Sequence, residues 1–320
     1  MPNGRLRCPI ALGGAVLGSL LALHYAGARQ GWAAPAAAET AESGVGLGQA
    51  AVLGIVQGLT EFLPISSTAH LKVVPVALGW GDPDITFSAV IQLGSIAAVV
   101  WYFWADLVRL AGATVAAVRS SDYRSSEFRL ALGIAIGTVP IAIAGLLLKV
   151  LVADLEDSAF WGLTTIALAS IVMGLLMGIG DWLGARQRSF ERLSARDGIW
   201  VGLAQALAIL PGVSRSGSTI TAGLFLGLER PTAARFSFLL GIPAIALAGG
   251  VELADALAAP STGAAFLPLL VGVVSSAIFS YLAIAGLIRY LQRQNTWVFV
   301  WYRLLLGGAI LVAVAAGAWD

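Results

Sequence analysis

The apolar residues of this chain fall into long runs, and several reach the roughly 20 residues that a helix needs to cross a bilayer. The pattern predicts six membrane-spanning helices, at residues 86–106, 129–150, 160–181, 234–255, 265–289 and 298–318. Two further apolar stretches, 47–79 and 198–228, are interrupted at their middle by proline, glycine and serine. We interpret each of them as a re-entrant helical hairpin, which enters the membrane and leaves it on the same side.

The two interrupted stretches also match each other. A shift of 148 residues without gaps places Gly54 on Gly202, Gln57 on Gln205, Leu59 on Leu207 and Ser66 on Ser214. Each half, approximately 47–181 and 198–318, is then one hairpin plus three spans, so the halves must have opposite orientations. We therefore expect an all-α polytopic membrane protein built as an inverted repeat. Chance similarity between two glycine-rich stretches is the alternative.

Composition agrees with a membrane protein and narrows the partners. Of the 320 residues, 58% are hydrophobic and 12% are charged, whereas a soluble domain carries about 25% charged residues. The net charge of +1 gives no reason to expect nucleic acid, and a single cysteine, Cys8, excludes a disulfide framework. Membrane lipids are the partners that this composition indicates.

Arginine is distributed unevenly between the two predicted sides of the membrane. One side receives twelve arginines: Arg109, Arg119, Arg124, Arg129, Arg186, Arg188, Arg192, Arg196, Arg230, Arg235, Arg289 and Arg293. The other side has Lys149 beside the acidic residues Asp154, Glu156 and Asp157. The positive-inside rule makes the arginine-rich side cytoplasmic, so residue 47 and the C-terminus are predicted to lie outside.

Residues 1–46 differ in character from the single membrane domain that we assign to 47–320. Arg5 and Arg7 precede an apolar run that is followed by small residues, which is typical of a secretory signal. An uncleaved anchor helix is the alternative, and whether residues 1–38 are removed stays open. Either segment would deliver residue 47 to the outside, in agreement with the arginine distribution.

The first interrupted stretch contains "QGLTEFLPISSTAHL", in which Glu61 and His70 are ionisable groups at membrane depth. Such a group costs about 3 kcal/mol or more unless it is paired or hydrated, so it indicates function. Gln57 and Glu61 are spaced i, i+4 and can present oxygen atoms to a divalent cation. A hydroxyl near an acid or imidazole, as at Ser67, is a candidate nucleophile. Helix capping by the serines and an ordinary interhelical role for His70 are the alternatives.

The second interrupted stretch contains "PGVSRSGST". Arg215, the third ionisable group that we place away from span ends, offers a planar fork of donors that matches phosphate oxygens. Hydroxyls surround it on Ser214, Ser216, Ser218 and Thr219. A snorkelling arginine is the alternative, but the repeat places Arg215 on Ser67, at the break. The two breaks together predict phosphate chemistry inside the membrane.

Both motifs resemble the signature motifs of the undecaprenyl-diphosphate phosphatase family, which is associated with bacitracin resistance, over roughly residues 47–318. The resemblance implies removal of the terminal phosphate from a C55 polyprenyl diphosphate lipid in the bacterial inner membrane, with a divalent cation, Mg²⁺ or Ca²⁺. The residues implied as catalytic are Glu61, Ser67, His70 and Arg215. Phosphate binding is expected from Thr68, Ser214, Arg215, Ser216 and Thr219, and metal binding from Gln57 and Glu61. The glutamine at position 57 is permitted by the pattern and lowers the negative charge available to a metal.

Ser67 is the preferred nucleophile, with Glu61 as base or metal ligand and His70 as general acid/base. Attack by His70 or by a metal-bound water stays open. The main rival is a transporter or flippase of polyprenyl phosphate, because broken helices and inverted repeats are frequent in transporters. A transporter needs phosphate recognition but no nucleophile, so the Ser67/His70 pair favours the enzyme. We expect the active site to face outside, and a homodimer stays open.

Overall fold

The computed structural model describes residues 45–80, 85–151, 162–258 and 266–319. These residues form eleven α-helices and no strand: α1 Leu47–Phe62, α2 Ser67–Leu78, α3 Ile85–Tyr102, α4 Trp104–Ser120, α5 Ser126–Leu151, α6 Leu163–Leu183, α7 Ala195–Ala206, α8 Arg215–Phe225, α9 Arg230–Ala258, α10 Phe266–Leu291 and α11 Trp297–Ala315. The predicted signal or anchor lies outside the described residues.

Five of the described helices, α5, α6, α9, α10 and α11, are each long and apolar enough to cross a membrane. Helices α3 and α4 qualify together as a sixth element, with a bend of 68° between them. The prediction of an all-α polytopic membrane protein is confirmed. The predicted span 86–106 is wrong at its end, because α3 stops at Tyr102 and residues 104–120 form a separate helix. Arg109 and Arg119 interrupt the apolar residues of α4, so the sequence shows no apolar run of spanning length there.

Both interrupted stretches are pairs of short helices, α1 with α2 and α7 with α8. The second helix of each pair starts after a serine with a positive φ angle, 76° at Ser66 and 70° at Ser214. Each serine hydroxyl accepts a hydrogen bond from the amide three residues later, Ala69 at 3.4 Å and Gly217 at 3.1 Å. A capping serine satisfies an amide that the helix leaves unpaired. Two positions equated by the repeat therefore share one conformation and one bond.

The first helix of each pair packs against a span of the other half, α1 on α10 and α7 on α5. Gly54 and Gly202, which the repeat also equates, lie at these two contacts. A Cβ atom on Gly54 would overlap the backbone of Gly272, and one on Gly202 would overlap the backbone of Gly137. Glycine therefore permits the helix backbones to approach closely at both places. The reciprocal packing suits an internal repeat, and the opposite orientation of the halves stays a prediction.

The two ends of the helix bundle differ in charge. Near the start of α9, Arg230 pairs with the buried Asp181 at 2.6 Å, and Arg188 in the same region pairs with Asp197 at 2.7 Å. Towards the other end of α9, Asp255 pairs with Lys149 at 2.8 Å. These two arginine pairs therefore lie at one end of the bundle and Lys149 lies at the opposite end. Which end faces the cytoplasm stays a prediction.

Candidate active site

The two breaks meet at the carboxylate of Glu61, in the last turn of α1. Ser67 Oγ donates to Glu61 Oε2 at 2.8 Å, and Gln57 Nε2 donates to the same oxygen at 3.2 Å. Arg215, from the other half of the chain, approaches Glu61 Oε1 with Nη2 at 3.4 Å. The structure thus brings together four of the residues that the sequence indicated: an acid, an amide, a hydroxyl and a guanidinium.

Two of these side chains come from the first residue of a helix. Ser67 is the first residue of α2 and Arg215 is the first residue of α8. Helix N-termini carry a partial positive charge and unpaired amides, so they favour an anion nearby. Arg215 Nη1 is buried and has no hydrogen-bond partner among the described residues, which leaves a donor available for a ligand. Thr68, the next residue of α2, is exposed.

His70 lies one turn after Ser67, but its ring nitrogens have other partners. Nδ1 is 2.7 Å from the carbonyl oxygen of Ser66, and Nε2 is 2.6 Å from the hydroxyl of Tyr302. Because a carbonyl oxygen only accepts, the Nδ1 atom carries the proton, and Nε2 of a neutral ring accepts from Tyr302. The proton of Ser67 is therefore directed to Glu61 and not to His70. An acid/base role for His70 stays a prediction.

The hydroxyls of the second motif bind within the protein. Ser214 Oγ lies 3.2 Å from Ser216 Oγ, and Ser216 Oγ donates to the carbonyl oxygen of Leu63 in the first break at 3.1 Å. Thr219 Oγ1 donates to the carbonyl oxygen of Arg215 at 2.7 Å. All three hydroxyl-bearing residues are buried. These bonds join the two breaks and fix the first turn of α8, while phosphate contact by these hydroxyls stays a prediction.

Arg303 of α11 joins the two breaks and was missed by the sequence reasoning. Its side chain is completely buried and donates to the carbonyl oxygens of Pro64 at 3.2 Å, Gly212 at 2.7 Å and Val213 at 3.1 Å. The first of these carbonyls belongs to the first break and the other two belong to the second. The set of ionisable groups placed away from span ends, Glu61, His70 and Arg215, therefore omitted Arg303. The sequence did contain a signal, because Arg303 lies inside the predicted span 298–318. Its place near the start of that span led to its assignment as a span-end residue.

Two side chains of this site carry oxygen atoms of the kind that bind a divalent cation. Gln57 Oε1 is buried beside Glu61 and has no partner among the described residues. Carboxylate and amide oxygens suit Mg²⁺ and Ca²⁺, and Mg²⁺ is often bound by one or two carboxylates plus substrate phosphates. Within the described ranges there is no cluster of three His, Cys, Asp or Glu residues. The residues present therefore fit a cation that completes its coordination with oxygen atoms of an anionic ligand.

The fold and this site define an integral membrane protein with a polar site, built where two interrupted helical elements meet and suited to an anion. Residues 50–309 match the family model described as bacitracin resistance protein BacA. The chain is 63% identical over 269 residues to an undecaprenyl-diphosphatase of Trichormus variabilis, and the match covers 84% of each protein. It is 61% identical over 273 residues to an undecaprenyl-diphosphatase of Synechocystis sp., covering 85% of this chain and 84% of that relative. The chain belongs to the BacA family of bacitracin resistance proteins, which confirms the resemblance noted in the motifs.

Proposed function

We propose that this protein is an intramembrane phosphatase that converts undecaprenyl diphosphate into undecaprenyl phosphate and orthophosphate. The names of the relatives support this substrate. The observation that carries the proposal is the Ser67 hydroxyl, which donates at 2.8 Å to a carboxylate that also faces Arg215. A transport site needs the arginine for phosphate recognition but gives no reason to hold a hydroxyl against a base.

In the first step, Ser67 Oγ attacks the terminal phosphorus and Glu61 accepts the hydroxyl proton. The bond from this phosphorus to the bridging oxygen breaks, and its electron pair leaves with undecaprenyl phosphate, which takes the proton from Glu61. Arg215 Nη1 and the N-termini of α2 and α8 stabilise charge on the equatorial oxygens, because positioning and electrostatics carry most of phosphoryl-transfer catalysis.

In the second step, water attacks the phosphoserine and transfers a proton to Glu61. The bond between phosphorus and Ser67 Oγ breaks, orthophosphate leaves, and the proton on Glu61 returns to the serine. Attack by His70 is less favoured, because its Nε2 is bound to Tyr302 at 2.6 Å and that bond would have to break first. Direct attack by water, with Glu61 as the base, is the remaining alternative.

The proposal includes a divalent cation held by Glu61 and by the free oxygen of Gln57. When bound, such an ion would neutralise charge on the diphosphate oxygens. With glutamine at position 57 the protein contributes a single carboxylate to this pair. We therefore expect the cation to bind more tightly in the presence of the diphosphate than in its absence.

The proposal also includes an inner-membrane location, with the arginine-rich end in the cytoplasm and the active site facing outside. There the product would re-enter cell-wall synthesis as the lipid carrier, and the activity would confer bacitracin resistance. The homodimer left open above has no bearing on this scheme, since every group that it uses comes from one chain.

The test is orthophosphate release from undecaprenyl diphosphate by the detergent-purified protein, with Mg²⁺, with Ca²⁺ or with EDTA. We expect cation-dependent release by the wild type and a loss on the order of 10³-fold or more in Ser67→Ala. Arg215→Ala and Glu61→Ala should also lose release, while Ser120→Ala, at an exposed serine of α4, should retain it.

Near-normal turnover in well-folded Ser67→Ala would exclude the serine nucleophile and leave water or His70. A folded wild type that releases no phosphate with any cation would exclude the phosphatase. Transport of polyprenyl phosphate would then become the leading function.

A further inference from the structure

The phrase "FSFLLGIP", residues 236–243 of α9, contacts the helix that carries Arg215. Ser237 Oγ lies 2.6 Å from Thr219 Oγ1 in the second turn of α8. Gly241, one turn further along α9, lies against the Arg215 guanidinium. Because residues spaced i, i+4 share one face of a helix, Ser237 and Gly241 form a single surface behind the arginine. The proposed reaction assigns no role to this surface.

The guanidinium of Arg215 is the group that lies nearest to the missing side chain of Gly241. A Cβ atom added at Gly241 would overlap Arg215 Nη1, and it would lie 2.7 Å from Cζ and 3.4 Å from Nη2 of the same group. The three nearest atoms all belong to Arg215. At Gly202, by contrast, the nearest atoms are backbone atoms of Gly137. A side chain at position 241 would therefore displace the flexible end of an arginine, whereas one at position 202 would push two helices apart.

Displacement of this guanidinium moves both of its terminal nitrogens, Nη1 and Nη2. Nη2 faces Glu61 Oε1 at 3.4 Å, and Nη1 is the buried donor without a partner among the described residues. A guanidinium binds phosphate through a planar fork, so its orientation matters as much as its charge. A rotation that removes Nη1 from the space beside Gly241 also turns the fork away from the point where the two breaks meet.

We propose that Gly241 is a positioning residue, whose missing side chain provides the space in which Arg215 is held in its phosphate-binding orientation. The inference deepens the proposed function and rests on it, because it assigns Arg215 to the phosphate. Ser237 contributes through its hydrogen bond to Thr219. Thr219 in turn donates to the carbonyl oxygen of Arg215 at 2.7 Å. The substrate group that this surface serves is the diphosphate.

The test substitution is Gly241→Ala, with Gly250→Ala as its matched control. Gly250 lies in the same helix, is exposed, and has no atom within 4 Å of an added Cβ. We expect kcat/KM of Gly241→Ala to fall about 100-fold, the size of effect that a misplacement near 1 Å produces. Its melting temperature should stay within about 4 °C of the wild type, since the atoms nearest to the added Cβ belong to the end of a flexible side chain. Gly250→Ala should retain both properties.

A double-mutant cycle distinguishes positioning from a general structural role. If Gly241 acts only through Arg215, adding Gly241→Ala to Arg215→Ala should leave the residual turnover of the Arg215→Ala protein unchanged. Binding of methylenediphosphonate, a diphosphate that cannot be hydrolysed, gives a second measurement as a shift in melting temperature. That shift should be present in the wild type and in Gly250→Ala, and absent in Gly241→Ala and Arg215→Ala.

The outcomes separate this inference from the proposed function. Methylenediphosphonate binding with the expected pattern, in a protein that hydrolyses nothing, would support the role of Gly241 and reject the phosphatase. Wild-type binding and turnover in Gly241→Ala would overturn the inference and leave the phosphatase intact. A further loss of turnover from Gly241→Ala in the Arg215→Ala protein would also overturn it, because the glycine would then act through another group.

Discussion

Replacement of Arg303 by methionine should loosen the join between the two breaks. Methionine has a similar length and is apolar, so Arg303→Met removes every donor while it fills much of the same space. The carbonyl oxygens of Pro64, Gly212 and Val213 would lose the guanidinium. These carbonyls belong to irregular backbone, where no helical amide is in place to replace the guanidinium as a donor. Arg303 Nε also donates to the carbonyl oxygen of Ser170 at 3.1 Å. That carbonyl lies within α6, so it keeps its helical hydrogen bond when the guanidinium is removed.

The expected loss follows from opposing contributions. Leaving a buried acceptor unsatisfied costs about 1–3 kcal/mol, so three carbonyls give about 3–9 kcal/mol. Removal of a buried charge is favourable by several kcal/mol, because the guanidinium no longer has to be desolvated. Setting about 3 kcal/mol for the removed charge against the middle of the first range, about 6 kcal/mol, we expect Arg303→Met to lower the free energy of unfolding by about 3 kcal/mol. That is a large part of the total for a typical domain.

The assay is reversible denaturant unfolding in detergent, with Arg293→Met as the control at an exposed arginine. Arg303→Lys should lie between the wild type and Arg303→Met, because one ammonium group cannot reach both breaks as the guanidinium fork does. Arg303→Met should also lose turnover, since Ser67 and Arg215 belong to elements that this side chain joins. An unchanged midpoint and slope for Arg303→Met would refute the reasoning, because the carbonyls would then have found other partners at no cost.

Three further substitutions test other contacts. Tyr302→Phe removes the donor to His70 Nε2 and retains the stacked ring, so we expect a loss of about 1 kcal/mol in unfolding free energy, and an unchanged value would mean that water replaces the hydroxyl. Gly202→Ala forces α7 away from the backbone of α5 and should lower the free energy of unfolding by about 1–3 kcal/mol. The measurement is thermal melting with Gly250→Ala as the control, and equal melting temperatures would count against a fixed helix contact. Asp181→Asn breaks the ion pair with Arg230, in which the carboxylate is 1% exposed, and should lower the free energy of unfolding by about 2 kcal/mol even at high salt. A loss that high salt abolishes would indicate a solvated pair.

The special positions in the two interrupted stretches could be predicted in the finest detail, while the inverted repeat itself stays a prediction. Ser66 and Ser214 were equated by spacing alone, and they share a positive φ angle and a capping bond. Gly54 and Gly202 were equated in the same way, and both lie where helix backbones touch. Such positions are predictable because a break or a close approach restricts the residue type. The partners of these positions, Gly272 and Gly137, could not be predicted, since they depend on how the halves dock.

The composition of the site could be predicted, but its hydrogen bonds could not. Spacing indicated that Ser67 and His70 share a helix turn, yet it could not show that the serine proton is directed to Glu61 and the imidazole to Tyr302. Tyr302 is 232 residues from His70, and a single sequence contains no signal for that pairing. Arg303 was missed because an arginine near the start of an apolar run is also typical of an interfacial side chain.

The position of Arg303 in the chain has a consequence for biosynthesis. It is made 239 residues after Pro64 and 91 residues after Gly212. Both breaks are therefore synthesised before the side chain that joins them. A nascent chain that ends at α10 contains both motifs but lacks their common donor. The addition of α11 is thus the step that brings the two breaks their common donor.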